Sequence, residues 1–200
     1  MKYNYFTIER EYGSGGTKVA RTLAEELNIP CYGRELLEMV SAEKGIDIDK
    51  IQRYEETVTN SFLYTVYMMS QAQTGQSEGI TAEGHIFLAE QGVIHRLAEK
   101  GPAIFLGHCA TEALNNKSGV LKVFITSDKQ SKMQRVVDEY GISEKDADST
   151  MKRFDRKRAN YYCANTGKKW NNPKNYDIVL DSGKLGIDGC VAALKGFFQN

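Results

Sequence analysis

The chain has 200 residues, 41% of them hydrophobic, enough to bury one sizeable α/β core but cramped for two full domains. Its 26 basic residues equal its 26 acidic ones, which excludes a global basic field for gathering nucleic acid and leaves partners to be read from local charge. No run reaches about 18 uninterrupted apolar residues, and Met1-Lys2-Tyr3-Asn4-Tyr5 opens no apolar leader segment, so the chain is expected to act in the cytoplasm, without a membrane span.

The apolar run Tyr5-Phe6-Thr7-Ile8 reads as a first strand. A glycine-rich loop follows, Arg10-Glu11-Tyr12-Gly13-Ser14-Gly15-Gly16-Thr17-Lys18, and then Val19, Ala20, Leu23, Ala24 and Leu27 repeat at helical spacing. Strand, loop and helix in that order aim backbone N–H groups and the positive end of the helix dipole at one point, which suits a phosphate. The loop nearly matches the phosphate-loop pattern G-x-x-x-x-G-K-[ST]. With Gly15 as the last glycine, Thr17 takes the hydroxyl position, Gly16 stands where lysine is expected, and Arg10 stands at the first glycine. The nearest cation, Lys18, is displaced. Taken alone, the bare pattern is weak evidence, because a glycine-rich turn between strand and helix that holds no ligand reads the same way.

The helix stops near Asn28-Ile29-Pro30, and Pro30-Cys31-Tyr32 is a short extended piece. Arg34 to Lys44 is helical, with Leu36, Leu37 and Val40 inward and Gly45 closing it. A long helical stretch runs from Asp47 to about Gln73. Its Ile51, Tyr54, Val58, Phe62, Thr65, Met68 and Met69 suit a core or a subunit interface, so a homodimer is one expectation. Gln71 to Gly84 reads as a loop, and residues 86 to 100 as an amphipathic helix stopped by Gly101-Pro102.

Ala103 to Gly107, Leu121 to Thr126 and Tyr176 to Asp181 read as buried parallel strands, each followed by a helix. Asp128 caps a helix that runs through Met133, Val136, Val137 and Tyr140 to Gly141. Ser143 opens another, with Asp146 in the reciprocal capping position, and a last helix spans Ile187 to Phe198. This alternation implies a three-layer α/β/α fold with a parallel sheet, whose ligands bind at the carboxyl ends of the strands. Cys31, Cys109, Cys163 and Cys190 form no C-x-x-C pair, and His85, His95 and His108 fall at no zinc spacing. The cysteines are expected as small reduced residues in or near the core.

Met151 to Trp170 holds seven lysines and arginines (Lys152, Arg153, Arg156, Lys157, Arg158, Lys168 and Lys169) against one acid, Asp155. Nineteen basic and twenty-five acidic residues are left elsewhere. Three readings stay open: a solvated helix face, an RNA surface on which Tyr161, Tyr162 and Trp170 stack bases, and an arginine lid over transferring phosphates. The acidic remainder weighs against RNA.

Three ordered pieces together resemble the cytidylate kinase-like family of P-loop nucleoside monophosphate kinases. They are Arg10-Glu11-Tyr12-Gly13-Ser14-Gly15-Gly16, Gly101 to Ala110, and Asp155-Arg156-Lys157-Arg158-Ala159-Asn160-Tyr161-Tyr162 through Thr166 to Trp170 and Tyr176 to Ile187. The resemblance implies one P-loop NTPase-type kinase domain over 1–200, moving the γ-phosphoryl of ATP to CMP, dCMP or a related small acceptor with Mg²⁺. It makes 34–84 a helical acceptor-binding insert and 143–170 the lid. By the same resemblance, the loop Gly13, Ser14, Gly15, Gly16, Thr17 and Lys18 holds ATP phosphates, with Thr17 or Ser14 beside Mg²⁺; the charge of the usual lysine must come from elsewhere, and Lys18, Arg10 and the lid arginines are the candidates to supply it at those phosphates. Arg153, Arg156, Arg158 and Lys18 stabilise the transfer, and Arg34, His108 and Asp155 serve the acceptor. The chain departs from the family at Gly107-His108, where Gly-Arg is usual, at Ala110-Thr111 in place of an aspartate, and at Gly33. Those changes motivate an alternative, a regulatory protein that binds nucleotide without turning it over.

Overall fold

Along β1 (Tyr5–Arg10), Phe6 and Ile8 point to one face of a sheet while Thr7 and Glu9 point to the other, and all four are buried. A strand covered on both faces is the mark of a parallel sheet between helical layers. The computed structural model describes residues 3–49, 51 and 82–198. In it β1 is central among β2 (Cys31–Tyr32), β3 (Ala103–Leu106), β4 (Val120–Thr126) and β5 (Ile178–Asp181). All pair in parallel in the order β2-β3-β1-β4-β5, with Tyr5 opposite both Ala103 and Val120 and Thr126 opposite Asp181.

One face carries α1 (Gly16–Leu27) and α7 (Ser182–Lys195). Their Val19, Leu23, Cys190 and Leu194 pack on Phe6, Ile8, Ile104, Val123 and Ile125. The other face carries α2 (Glu35–Lys44), α3 (Ala82–Glu99) and α4 (Ala110–Ala113), together with the end of α6 (Glu144–Thr166). Here Leu36, Ile94, Tyr162 and Trp170 cover Phe105 and Phe124, and the Trp170 ring meets Phe124 edge-on at 5.2 Å. Each of these fully buried side chains contributes about 2 kcal/mol. Helix α5 (Lys129–Asp138) packs Val136 against Ala147 and Met151 of α6. Outside the strands, Tyr3 bridges to Phe198, and its N–H donates to the Phe197 carbonyl at 2.8 Å.

Several boundaries differ from those read in the sequence. β1 continues to Arg10 because Glu9 and Arg10 pair with Phe124 and Ile125, so the loop is only 11–15. α3 begins at Ala82, where a loop through Gly84 was expected, and the expected helix over most of 47–73 lies outside the described residues. Residues 144–166 are one helix. Its start is not the expected reciprocal cap: the Ser143 hydroxyl donates to the Asp146 carboxylate at 2.6 Å, side chain to side chain. The last helix begins at Ser182, with Gly186 at φ 70° interrupting it before Ile187. Cys109 and Cys190 are buried, and Cys31 and Cys163 half-buried, all as free thiols. Among the described residues, no helix is long and apolar enough to cross a membrane.

Candidate active site

β1 and β4 lie side by side and send the chain in opposite directions, β1 towards β2 and β4 towards β5. The crevice at their carboxyl ends is where an open α/β sheet binds ligands. The glycine loop occupies it. Gly13 and Gly15 take left-handed φ of 78° and 72°, and a Cβ on Gly15 would stand 2.6 Å from Ile187 Cδ1. Glycine is therefore required there both for conformation and for space. The Ser14 hydroxyl is turned inward, donating to the Glu11 carbonyl at 2.8 Å and accepting the Gly16 N–H at 3.3 Å. Behind the loop, Arg135 donates to the Gly13 carbonyl and Ser182 to the Ser14 carbonyl. Glu11 accepts from Thr126 at 2.7 Å and Lys132 at 2.9 Å, tying the loop to β4 and α5. The loop is held from every side but one.

On that open side is a hollow of about 480 Å³, lined by Arg10, Gly13, Gly15, Gly16, Thr17, Lys18, Tyr140 and Arg158 among others. At the start of α1 the N–H groups of Thr17 and Lys18 have no intrahelical acceptor, so the helix end offers donors and positive dipole to an anion. Lys18 stands on the rim, its side chain 61% exposed and 3.8 Å from Glu139.

A second hollow of about 210 Å³ adjoins it. Its walls include Glu9, Gly107, His108, Phe154, Lys157, Tyr161 and Tyr162, and it shares Arg10 and Arg158 with the first. Gly107, His108 and Cys109 follow one another with φ of 81°, 56° and 53°. Two of these three are not glycine, a strained turn of the kind that clusters at functional sites. His108 Nδ1 lies 3.8 Å from the fully buried Glu90 carboxylate, which also accepts the Tyr161 hydroxyl. Glu9, 5% exposed, accepts the Trp170 indole N–H at 3.0 Å.

Arg158 reaches the junction from α6. Its Nη1 donates to the Arg10 carbonyl at 2.8 Å and lies 4.0 Å from Asp155, with the guanidinium 5.7 Å above the Tyr12 ring. Burial lowers its pKa from the ordinary value, against the pull of Asp155 and Glu9, though an arginine remains charged. Burial raises the Asp155 carboxyl, while the Tyr12 N–H, donating at 2.6 Å, favours the anion.

Of the residues singled out in the sequence, the structure therefore gathers Arg10, Gly13, Gly15, Gly16, Thr17, Lys18, His108 and Arg158 around the two hollows. Ser14 and Asp155 stand just behind, holding the loop. Arg34 is exposed at the start of α2, and Arg153 and Arg156 are exposed on α6; none of the three lines either hollow. Tyr161, Tyr162 and Trp170 are at most 7% exposed, which overturns their reading as stacking platforms for RNA. Sequence reasoning missed Glu9, Glu90, Phe154 and Arg135.

A model of the cytidylate kinase-like family matches residues 6–184. No curated protein matches the chain. Among solved structures, an uncharacterized protein from Eubacterium ventriosum is similar at a TM-score of 0.72 and 28% identity, with 96% of each chain covered. Two more share the fold. The TT1252 protein of Thermus thermophilus does so at a TM-score of 0.53 and 15% identity, covering 98% of this chain and 96% of that one. Shikimate kinase from Bacteroides thetaiotaomicron does so at 0.51 and 13%, covering 96% of each. The parallel sheet with its glycine loop is the arrangement of P-loop kinases, and with nearly the whole chain matched, the protein belongs to the cytidylate kinase-like family.

Proposed function

We propose that the protein transfers the γ-phosphoryl of ATP to CMP, dCMP or a related small acceptor. The observation that carries this reading is the pair of adjoining hollows that share two arginines, Arg10 and Arg158. Phosphoryl transfer asks for positioning and for cations around spreading negative charge, and a guanidinium fork between donor and acceptor supplies both. The larger hollow, with its helix start and glycine loop, takes the ATP phosphates. The smaller takes the acceptor, with His108 and Lys157 at its wall. Residues 34–84 would complete the acceptor side, Arg34 included, and 1–200 would work as one domain in the cytoplasm, where ATP is at hand.

On the donor side Mg²⁺ would be held through the hydroxyl of Thr17, a residue that lines the hollow at the start of α1; the Ser14 hydroxyl is committed within the loop. The ion would neutralise charge on the phosphate oxygens. Arg158 already stands at the junction. Arg153 and Arg156 would join it only if 143–170 tilts inward as a lid, a movement that would also exclude water.

The reading is tested by incubating the protein with Mg²⁺, ATP and a panel of nucleoside monophosphates while following ADP. Acceptor-dependent ADP from a cytidine nucleotide is expected. ATP binding without acceptor-dependent ADP from any of them would instead favour the regulatory reading, which His108 in place of an arginine also favours.

A further inference from the structure

We infer that Arg10 is the lysine of the phosphate loop carried on the strand instead of the helix, and that its guanidinium contacts the transferring phosphoryl group. The inference rests on the phosphotransfer reading above. In the pattern G-x-x-x-x-G-K-[ST], glycine opens the motif and lysine stands seventh. Here Arg10 opens it and Gly16 stands seventh. The two departures are one exchange, because the two positions compete for the same space.

Gly16 does not need the conformational freedom of glycine, since its φ is not among the positive ones. It needs the room. A Cβ there would stand 2.5 Å from Arg10 Cβ, 3.0 Å from Arg10 Cγ and 3.1 Å from Ile125 Cβ. Cβ atoms do not approach so closely, so a side chain at position 16 requires glycine at position 10, and a side chain at position 10 requires glycine at position 16. The usual motif takes the first solution and this chain the second.

The Arg10 side chain runs past Gly16 and ends over the turn after β3, where Nη1 is 2.6 Å from the point a Cβ on Gly107 would occupy. Gly107 lines the smaller hollow, and Arg10 lines both. Its backbone is fixed by β1 pairing and by the Arg158 hydrogen bond at 2.8 Å to its carbonyl. Lys18 offers no such placement, being exposed at the rim beside Glu139. A guanidinium at the junction also differs from lysine in kind, because it grips two phosphate oxygens at once.

The test uses the full chain and five substitutions, alone or combined. Arg10→Ala should lower kcat by about 10²- to 10³-fold, with the KM for ATP moving less than about 10-fold. Arg10→Lys should retain more turnover than Arg10→Ala. Arg10→Gly combined with Gly16→Lys should be faster than Arg10→Gly alone by about 10-fold or more, which a merely structural role for Arg10 would not produce. Apart from any acceptor, Arg10→Ala should narrow the preference for ATP over AMP in equilibrium binding by about 10-fold. Gly16→Ala should lower the melting temperature less when Arg10 is glycine than in the wild type. Turnover within about threefold of wild type in Arg10→Ala overturns the inference, as does a folded double variant no faster than Arg10→Gly. Intact Arg10-dependent ATP preference with no phosphorylated acceptor would instead sink the kinase reading while leaving the role of Arg10 standing.

Discussion

Arg158→Ala probes the junction of the two hollows most directly, and the structure sets the size of its effects. The wild-type guanidinium donates to the Arg10 carbonyl at 2.8 Å, a charge-assisted bond contributing about 1.5–3 kcal/mol. Its pair with Asp155, at 4.0 Å and with both side chains about a quarter exposed, adds at most about 1 kcal/mol. Stability should therefore fall by about 2–4 kcal/mol, or roughly 10 °C in a chain of this size. Catalysis should fall further. An arginine that meets the charge of a transferring phosphoryl group is worth about 10³-fold in kcat, close to 4 kcal/mol of barrier. Coupled ADP release at saturating ATP and acceptor, alongside thermal melting, separates the two effects. Arg153→Ala and Arg156→Ala provide the contrast: with α6 where it stands, both should keep kcat within about threefold. A folded Arg158→Ala protein with unchanged kcat would refute the placement of the reaction at this junction. Equal losses at Arg156 and Arg158 would show that α6 swings inward during turnover.

Gly15→Ala forces a left-handed φ on alanine and sets its Cβ 2.6 Å from Ile187 Cδ1, so a loss of about 1–3 kcal/mol is expected in urea unfolding, together with weaker ATP binding. Tyr161→Phe takes a hydroxyl donor from the fully buried Glu90, at about 1–3 kcal/mol; an unchanged urea midpoint would show that the bond contributes nothing. Asp155→Asn tests a pH dependence. Burial holds the Asp155 carboxyl above its ordinary value, so its contribution to stability is complete below about 4 and declines as pH rises through the raised folded value. The asparagine variant lacks that decline. Its melting temperature relative to wild type should rise from pH 4 to pH 7, and a constant difference would contradict the assignment.

Most of the sheet and its helices were legible because their apolar residues repeat at periods of two and 3.6. Glu9 was harder to see: it sits in phase with Tyr5 and Thr7 on the second face of β1, and a strand covered on both faces reads as a plain apolar run. Glu90 did leave a signal, as the single acid in the stripe Ile86, Ala89, Val93, Ile94 and Leu97 that buries α3. An acid in an apolar stripe marks a polar contact inside the fold. The basic segment misled for a related reason. Helical spacing turns Met151, Phe154, Asp155, Arg158, Tyr161 and Tyr162 inward and leaves Arg153 and Arg156 outside, a division that total charge conceals.

The strand order also fixes when this fold can form. β1 leaves the ribosome about a hundred residues before its neighbours β3 and β4, and α7, which covers α1, follows later still. Until then β1 shows two unpaired edges and the apolar side chains of Phe6 and Ile8. The nascent chain thus carries an aggregation-prone strand while about a hundred further residues are made, and the contact of Tyr3 with Phe198 closes only after all five strands have been made.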